Sequence, residues 1–420
     1  MRPRSAVSHY KSSDVDLQKA AAELNVRGLV VGRVISHGEA LDVAVELTDI
    51  RSNRNLWSEH YSRKLADALT VEQEIATEVS ARLREHLTTA QKSLVHKGET
   101  SNPEAYQLYI KGRYHWDKRT PESLEKSKQL LEQAIALDPN YGLAYLGLAE
   151  YYDVLPDYVP VPTRDANPNV KLFVRKALEI DDAQPVAHAV LADSLSSDWE
   201  WAAATAEYQR ALALDPNSAR THVLFGLFLR YLGKLDEARA QFLKAMELEP
   251  LNLNAAHNVA LIDREKRDYE KSIEEAKKVL ETDANYAIAH QDLSLAFLML
   301  GRYQDWLLEW ETHAKITNDS NELAELEAAK QGFARAGIRG AMVAKIRVEE
   351  EHSKRSYVDP ATIAADYAYL GDRDHAFALL EEAAVEKSNV LLRIKVNPQF
   401  DSLRSDPRYA ALLKRMNLPQ

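Results

Sequence analysis

The sequence predicts a mainly α-helical protein: a right-handed α-α superhelix of about six to eight helix pairs, preceded by a small α/β module with a three-stranded, largely antiparallel sheet. Two alanines and a proline recur at a period of 34 residues, which is typical of stacked helix pairs. Near the N-terminus, Leu41, Val43, Val45 and Leu47 recur at every second position, which predicts a strand. These two kinds of spacing divide the chain into two parts.

Composition limits the possible classes of function. At 420 residues the chain is long enough for several domains or a repeat array. The net charge of −11 is unfavourable for nucleic acid or anionic membranes, because both need a basic patch. The chain has no cysteine, which excludes disulfides and thiolate chemistry. No apolar run is long enough for a membrane span, and the N-terminus lacks a secretory signal, so we expect a cytoplasmic location, or a periplasmic one if the true start lies upstream.

Residues 1–90 are expected to form the α/β module. Residues 12–25 show helical spacing after a Ser/Asp start. A turn at His37–Glu39 separates two strands, and a third strand follows a turn at residues 51–55, which together predict a hairpin with one added strand. Thr70 with Gln73 forms a capping box, which predicts a helix that covers one face of the sheet. An incomplete sheet would leave an unpaired edge in residues 1–90, a route to self-association.

A repeating unit follows a linker over residues 91–102. Its pattern is occupied by Ala204, Ala211 and Pro216, then by Ala238, Ala245 and Pro250. The best unit, residues 219–252, also has Gly226 in its first helix, Gly233 at the turn between helices and Phe242 in its second helix. An earlier unit carries Ser127, Leu131, Ala134 and Pro139. Small residues suit close helix contacts, and proline ends the second helix.

The array is expected to change in regularity along the chain. Regular units are predicted over residues 103–318, degenerate helical repeats over 319–393, and a C-terminal capping segment over 394–420. Gly371, followed by Ala376, Leu380 and Ala383, indicates a helix pair in the degenerate part. We interpret Gly337 as a turn before a helix, and the acidic run at residues 349–351 as a solvated helix face.

From Asn102 onward the chain resembles the tetratricopeptide repeat (TPR) superfamily, and the resemblance covers about two thirds of the sequence. Members of that superfamily are mostly protein–protein interaction scaffolds. The resemblance therefore implies a TPR solenoid that binds a protein or peptide partner, without catalysis and without a cofactor.

The N-terminal part is similar to the TolB-like (FlgO-like) α/β module that precedes such repeats in large bacterial signalling proteins. The similarity lies in SAVSHYK, AAELNVRGLVVGRV, VAVELTDIRSNRNLWSEHYSRKL and VEQEIATEVSARL, and the closing VNPQFDSLRSDPRYAALLKRMNLP resembles the end of those proteins. In that family a serine/threonine kinase, winged-helix or cyclase domain usually precedes the module. The resemblance implies an alternative function: the C-terminal sensory or regulatory part of a kinase or winged-helix regulator, with a partial module here and its effector domain missing.

Two tryptophans beside two acids, at Asp198–Trp201, suggest a cage for a cationic ligand. Residues one or two positions apart do not share a helical face, so the two indoles would not converge. We favour packing, with one of Trp199 and Trp201 inward and the other at the rim.

Four histidines recur at intervals of 33 to 35 residues: His188, His222, His257 and His290. A metal site needs ligands within about 2 Å of one point, whereas neighbouring helices lie roughly 8–10 Å apart. We therefore favour packing histidines and expect no metal. The proline-rich stretch Leu155–Asn169 is interpreted as a surface insertion, with partner contact as the alternative.

No phosphate-binding glycine loop, nucleophile elbow or HExxH motif is present, so we expect no catalytic residues. The first helix of each pair should line the concave face of the superhelix. The candidate groove residues are Arg220, Val223, Leu227, Arg230, Tyr231, Asn254, Asn258, Leu261, Arg264, Gln291 and Asp292. This mixture of guanidinium, amide and apolar groups suits an extended or helical peptide.

Overall fold

The computed structural model describes residues 16–24, 26, 28–37, 40–50, 54–64 and 100–418. The predicted helix that begins near Thr70 lies outside the described residues. None of the helices in the described ranges is both long and apolar enough to cross a membrane.

The N-terminal module contains the predicted antiparallel sheet. A short helix, α1 (Leu17–Glu23), precedes strands β1 (Gly28–His37), β2 (Ala40–Asp49) and β3 (Arg54–Lys64). The strand order is β1-β2-β3, and both neighbouring pairs are antiparallel. Because alternate residues of a strand point to opposite faces, one face of the sheet gathers the apolar side chains. The buried cluster on that face consists of Val43, Val45, Leu47, Trp57 and Tyr61.

Eight helix pairs follow in the described residues between 103 and 385. The first four pairs are α2 (Pro103–Trp116) with α3 (Pro121–Leu137), α4 (Gly142–Tyr158) with α5 (Thr163–Ile180), α6 (Pro185–Ser197) with α7 (Trp201–Leu214), and α8 (Ala219–Tyr231) with α9 (Leu235–Leu248). The later elements are α10 (Leu253–Glu265) with α11 (Tyr269–Thr282), α12 (Ala287–Met299) with α13 (Tyr303–Thr317), the bent element α14 (Ser320–Ser353), and α15 (Pro360–Leu370) with α16 (Arg373–Val385).

The repeated small residues lie at the helix contacts, as the sequence predicts. Ala238, Phe242 and Ala245 on α9 are fully buried. A Cβ atom at Gly226 on α8 would lie only 2.6 Å from the Phe242 ring, so the two helices meet where glycine leaves room. Gly233 joins the helices with φ +80°, a left-handed conformation that glycine adopts without strain.

The degenerate part of the array contains a tight helical hairpin. Element α14 bends at Ala336 and at Gly337, where φ is +61°, so its two halves form a helix pair. The halves approach closely, since a Cβ atom at Gly332 would lie 2.2 Å from the carbonyl oxygen of Gly340. The predicted turn at Gly337 is confirmed, and Gly371, with φ +79°, joins α15 to α16.

The proline-rich stretch Leu155–Asn169, interpreted from the sequence as an insertion, is mostly helical rather than a long loop. Helix α4 continues through Pro156 to Tyr158, and α5 starts at Thr163 and includes Pro168. Pro156 lies in the last turn of α4, where the missing N–H removes one hydrogen bond at a helix end. The additional residues therefore lengthen two helices.

The C-terminal segment, which we define as residues 386–418, returns to the middle of the array. It contains two 3₁₀ turns, Leu391–Arg393 and Pro398–Leu403, and helix α17 (Pro407–Arg415). Its apolar side chains share one buried cluster with residues of α6 to α10. The structure thus links the end of the chain to units three to five, rather than to the last helix pair alone.

Polar contacts fasten this segment to the turns within successive helix pairs. Lys395 Nζ donates to the carbonyl oxygen of Leu232 at 3.3 Å, just before α9. The Arg267 guanidinium, between α10 and α11, pairs with Asp401 at 3.0 Å and donates to the carbonyl oxygen of Val396 at 3.0 Å. The amide of Arg164 also donates to the carbonyl oxygen of Glu386 at 3.2 Å. These contacts close the superhelix on itself.

Candidate functional site

Closure of the superhelix encloses a cavity of about 640 Å³, which we call the central cavity. Its walls come from the end of α4, from α8, α10, α12, α13, both halves of α14, α15 and the C-terminal segment. A second cavity of about 410 Å³ adjoins it and is lined by residues 156–161 and by Tyr357. Asp157, Tyr357 and Arg393 line both cavities, so the two spaces meet there.

Three of the predicted groove residues line the central cavity: Arg230, Arg264 and Gln291. By exposure, the whole group divides into three sets. Five are buried: Val223, Arg230, Asn258, Leu261 and Asp292. Arg220, Leu227, Tyr231 and Arg264 are partly exposed, and Asn254 and Gln291 are exposed.

The expected exposure of Arg230, Asn258 and Asp292 is wrong, because polar side chains pair between the first helices of successive units. Arg230 Nε donates to Glu265 at 2.7 Å, and the side chains of both residues are at most 4% exposed. Asp292 on α12 accepts from Arg264 on α10 at 3.3 Å. The Asn258 amide donates to the carbonyl oxygen one turn earlier, at 2.8 Å. Arg230 and Asp292 are thus engaged by partners within the stack.

Arg220 is engaged in a different contact. Its guanidinium pairs with Glu150 of α4, two units earlier, and Arg113 of α2 pairs with the same carboxylate. Burial opposes ionisation of Glu150, but the two guanidinium groups outweigh it and lower the pKa of that carboxyl. Arg220 therefore neutralises a buried charge inside the array.

The four histidines are packing residues. His188 Nδ1 lies 2.6 Å from Glu207 of the next helix, and its Nε2 donates to the carbonyl oxygen of Asp182 at 2.9 Å. The same two contacts recur at His222 and His290, with a side chain 19 residues later and a carbonyl oxygen six residues earlier. His257 instead contacts Asp292, at 3.2 Å. No group of three potential metal ligands converges anywhere in the described ranges.

Both tryptophans of the Asp198–Trp201 stretch are buried, so the predicted rim position is wrong for either one. Trp199 has φ +66° and lies in the turn before α7, where helical spacing does not apply. Lys387 Nζ lies 3.3 Å from the centroid of the Trp199 ring, so the chain's own ammonium occupies that aromatic face. Trp201 donates to the carbonyl oxygen of Met416 at 2.7 Å. The C-terminal segment covers the surface that the sequence alone left open.

The acidic run at residues 349–351 is only partly a solvated face. Glu350 and Glu351 are exposed, but Glu349 is 2% exposed and lines the central cavity. Lys345, one turn earlier, forms ion pairs with Glu349 and with Asp366 of α15. Hydropathy could not predict this burial, because it assigns the same value to each of the three consecutive glutamates.

Another unexpected residue is Arg393 of the C-terminal segment. Its side chain has no hydrogen bond or ion pair among the described residues. Burial and the neighbouring Arg230 lower its pKa, while burial raises that of Asp157 across the cavity junction. Arg393 is therefore a cationic group that faces both cavities without a direct partner in the described structure.

Stacked helix pairs around a central cavity define an α-solenoid of helical repeats. Residues 219–250 match the Tetratricopeptide repeat family model. A structure of an IFIT1 monomeric mutant with Gppp-AAAA is similar at a TM-score of 0.52 and 14% identity, covering 74% of this chain and 71% of that one. Human IFIT1 dimer with PPP-AAAA gives a TM-score of 0.51 at 16% identity, covering 71% and 73%. At these identities the likeness concerns the fold alone.

Three of the relatives by sequence are bacterial proteins. "Putative adenylate cyclase 3" of Rhizobium meliloti is 27% identical over 190 residues, which cover 44% of this chain and 32% of that protein. Transcriptional regulator HilA of Salmonella typhimurium is 26% identical over 152 residues, covering 36% and 28%. The aligned region is thus about a third of the length of these relatives. Type IV pilus assembly protein PilF of Pseudomonas aeruginosa is 32% identical over 117 residues, covering 27% and 46%.

Proposed function

We propose that this protein is a non-catalytic interaction scaffold that holds a segment of a partner protein in the central cavity. The observation that carries the proposal is the cavity itself, a space of about 640 Å³ built from residues of seven different helices and the C-terminal segment. Binding cavities in proteins commonly measure about 300–1,000 Å³. A TPR solenoid presents such a concave surface to its partners.

The walls of the cavity combine apolar and polar groups. The partly exposed Leu295 offers apolar contact, and Gln291 offers an exposed amide. The leucine side chain suits the apolar parts of a peptide, while the amide suits its backbone. Of the predicted groove residues, we propose Gln291 and Arg264 as cavity contacts and Asn254 as a further exposed contact on α10.

The charge of the cavity favours a protein over a nucleic acid. Eight carboxylate side chains line it, against four lysine and arginine side chains. A phosphate backbone requires the opposite excess. The partner proposed here is therefore a polypeptide.

Single-cysteine labelling tests the proposal, because the chain has no native cysteine. Gln291→Cys places a thiol at the cavity, and Leu243→Cys places a control thiol on the exposed side of α9, where Leu243 is 43% exposed. Partner peptides selected from a library should slow maleimide labelling of the cysteine at 291 and leave labelling at 243 unchanged. Equal protection at both positions, or protection at neither, would overturn the proposal.

A second candidate is that the array is the partner-sensing part of a signalling protein. Two bacterial relatives favour it, since their names indicate a cyclase and a transcriptional regulator. The aligned region makes up about a third of each of these proteins. The N-terminal likeness to the TolB-like module supports the same proposal. Sequencing the gene upstream of the Met1 codon tests it: an in-frame kinase, cyclase or winged-helix segment is expected, and an immediate stop codon would contradict it.

A further inference from the structure

One wall of the central cavity is formed by three carboxylates around a single ammonium group. Glu325 comes from the first half of α14, Glu349 from its second half and Asp366 from α15. Lys345 pairs with Glu349 and Asp366. When the three acids are ionised, one ammonium group leaves the local charge negative.

Two of these carboxylates retain capacity to accept a cation. Glu349 is 2% exposed, and its Oε2 atom has no hydrogen-bond partner among the described residues. Glu325 has neither a hydrogen bond nor an ion pair in the described part of the chain. A buried acceptor without a donor is costly, so this wall is incomplete by itself.

Apolar side chains lie beside the acids. Trp306 and Trp310, stacked at a centroid distance of 5.5 Å, line the same cavity together with Leu298. Lys345 Nζ lies 6.0 Å from the centroid of the Trp310 ring, so an ammonium group already sits beside this aromatic wall. Apolar walls that end in carboxylates match a hydrocarbon stem that ends in an ammonium group.

We propose that Glu325 and Glu349 bind a second ammonium group, supplied by a lysine side chain of the partner segment. The inference rests on the proposed function and specifies its chemistry. The alkyl stem lies in the central cavity, and the ammonium group donates to the Glu325 carboxylate and to the free oxygen of Glu349. Lys345 stays paired with Asp366.

The pKa values of two carboxyls in this wall are raised, as expected where three acids share one ammonium group. Burial raises the pKa of Glu325 to about 7 and also raises that of Glu349, where Asp366 adds to the effect. The other charged or titratable groups around Glu325 are Asp319 and Glu322 on the first half of α14, Lys345 and Glu349 on its second half, Asp366 on α15 and His313 on α13. A bound ammonium group favours the ionised carboxylates, so affinity should rise as the pH increases from 6 to 8.

The test uses the full chain and a fluorescent trilysine peptide with blocked ends, measured by anisotropy. Glu325→Gln should weaken binding about tenfold, since one charged hydrogen bond is lost. Glu327→Gln removes the same charge two residues away on an exposed position and should leave affinity within about twofold. The acetyl-lysine version of the peptide should not bind.

Three results would overturn the inference: equal binding by both variants, equal binding of the acetylated peptide, or binding of spermidine without binding of trilysine. The last result would assign the site to a free amine. The labelling experiment distinguishes failure of the lysine site from failure of the scaffold proposal. If a library peptide protects the cysteine at 291 equally well with and without Glu325→Gln, the scaffold proposal is supported and the lysine site is contradicted.

Discussion

The indole N–H of Trp201 donates a 2.7 Å hydrogen bond to the backbone carbonyl oxygen of Met416, 215 residues further along the chain. This bond joins the beginning of α7 to the end of α17, and it is buried. It belongs to the set of contacts through which the C-terminal segment closes the superhelix and completes the wall of the central cavity.

Replacing Trp201 by phenylalanine should lower the free energy of unfolding by about 1–3 kcal/mol, because the carbonyl oxygen of Met416 loses its buried donor. Trp199→Phe is the matched control, since Trp199 Nε1 has no hydrogen-bond partner among the described residues. Urea denaturation compares the two variants. An equal loss for both would show that the hydrogen bond to Met416 does not stabilise closure.

Gly226→Ala should destabilise the array by about 2 kcal/mol, because the new methyl group would overlap the Phe242 ring. Phe242→Leu leaves space at the same contact and should recover part of that loss in the double variant. Denaturant titration of the single and double variants gives the coupling free energy. Strict additivity would mean that the two residues do not constrain each other.

The stability of the array should depend on Asp153 of α4 and on Asp193 of α6, which accepts a hydrogen bond from the Tyr208 hydroxyl at 3.3 Å. Burial raises the pKa of both carboxyls, so the folded state binds more protons than the unfolded state above pH 4. Stability is therefore lost as the pH rises through the folded pKa values. Asp193→Asn should be more stable than the native chain at pH 8, by about 2 kcal/mol, and less different at pH 5.

Melting temperatures at the two pH values check this expectation. Asp182→Asn is the control, because the Asp182 side chain is 69% exposed and pairs only with an exposed arginine among the ion pairs of the described chain. A native chain whose melting temperature does not fall relative to that of Asp193→Asn between pH 5 and pH 8 would contradict the proposed link between these raised pKa values and stability.

Local spacing was sufficient to predict the helix pairs. Ala238 and Ala245 are fully buried where the repeat pattern places them, and Gly233 has the left-handed φ of a turn. The antiparallel sheet also followed from alternation, since Val43 and Val45 lie buried on one face. Such features depend on neighbours within a few residues or within one repeat.

The cavity was not predictable in the same way. Glu349 is buried beside Lys345 because α15 packs against α14, and Trp199 is buried because Lys387 lies over its ring. Arg230 finds Glu265 in the next unit, 35 residues away. Each of these contacts depends on how distant helices stack, which residue spacing in one sequence does not specify.

The central claim, that a partner segment occupies the cavity, is tested most directly by photo-crosslinking in cells of the native host. Benzoylphenylalanine at position 291 faces the cavity, and the same group at position 243 lies on the exposed side of α9. We expect crosslinked partner peptides from 291, identified by mass spectrometry, and none shared with 243. Crosslinks from 243 with none from 291 would contradict the claim and move the binding surface to the outside of the superhelix.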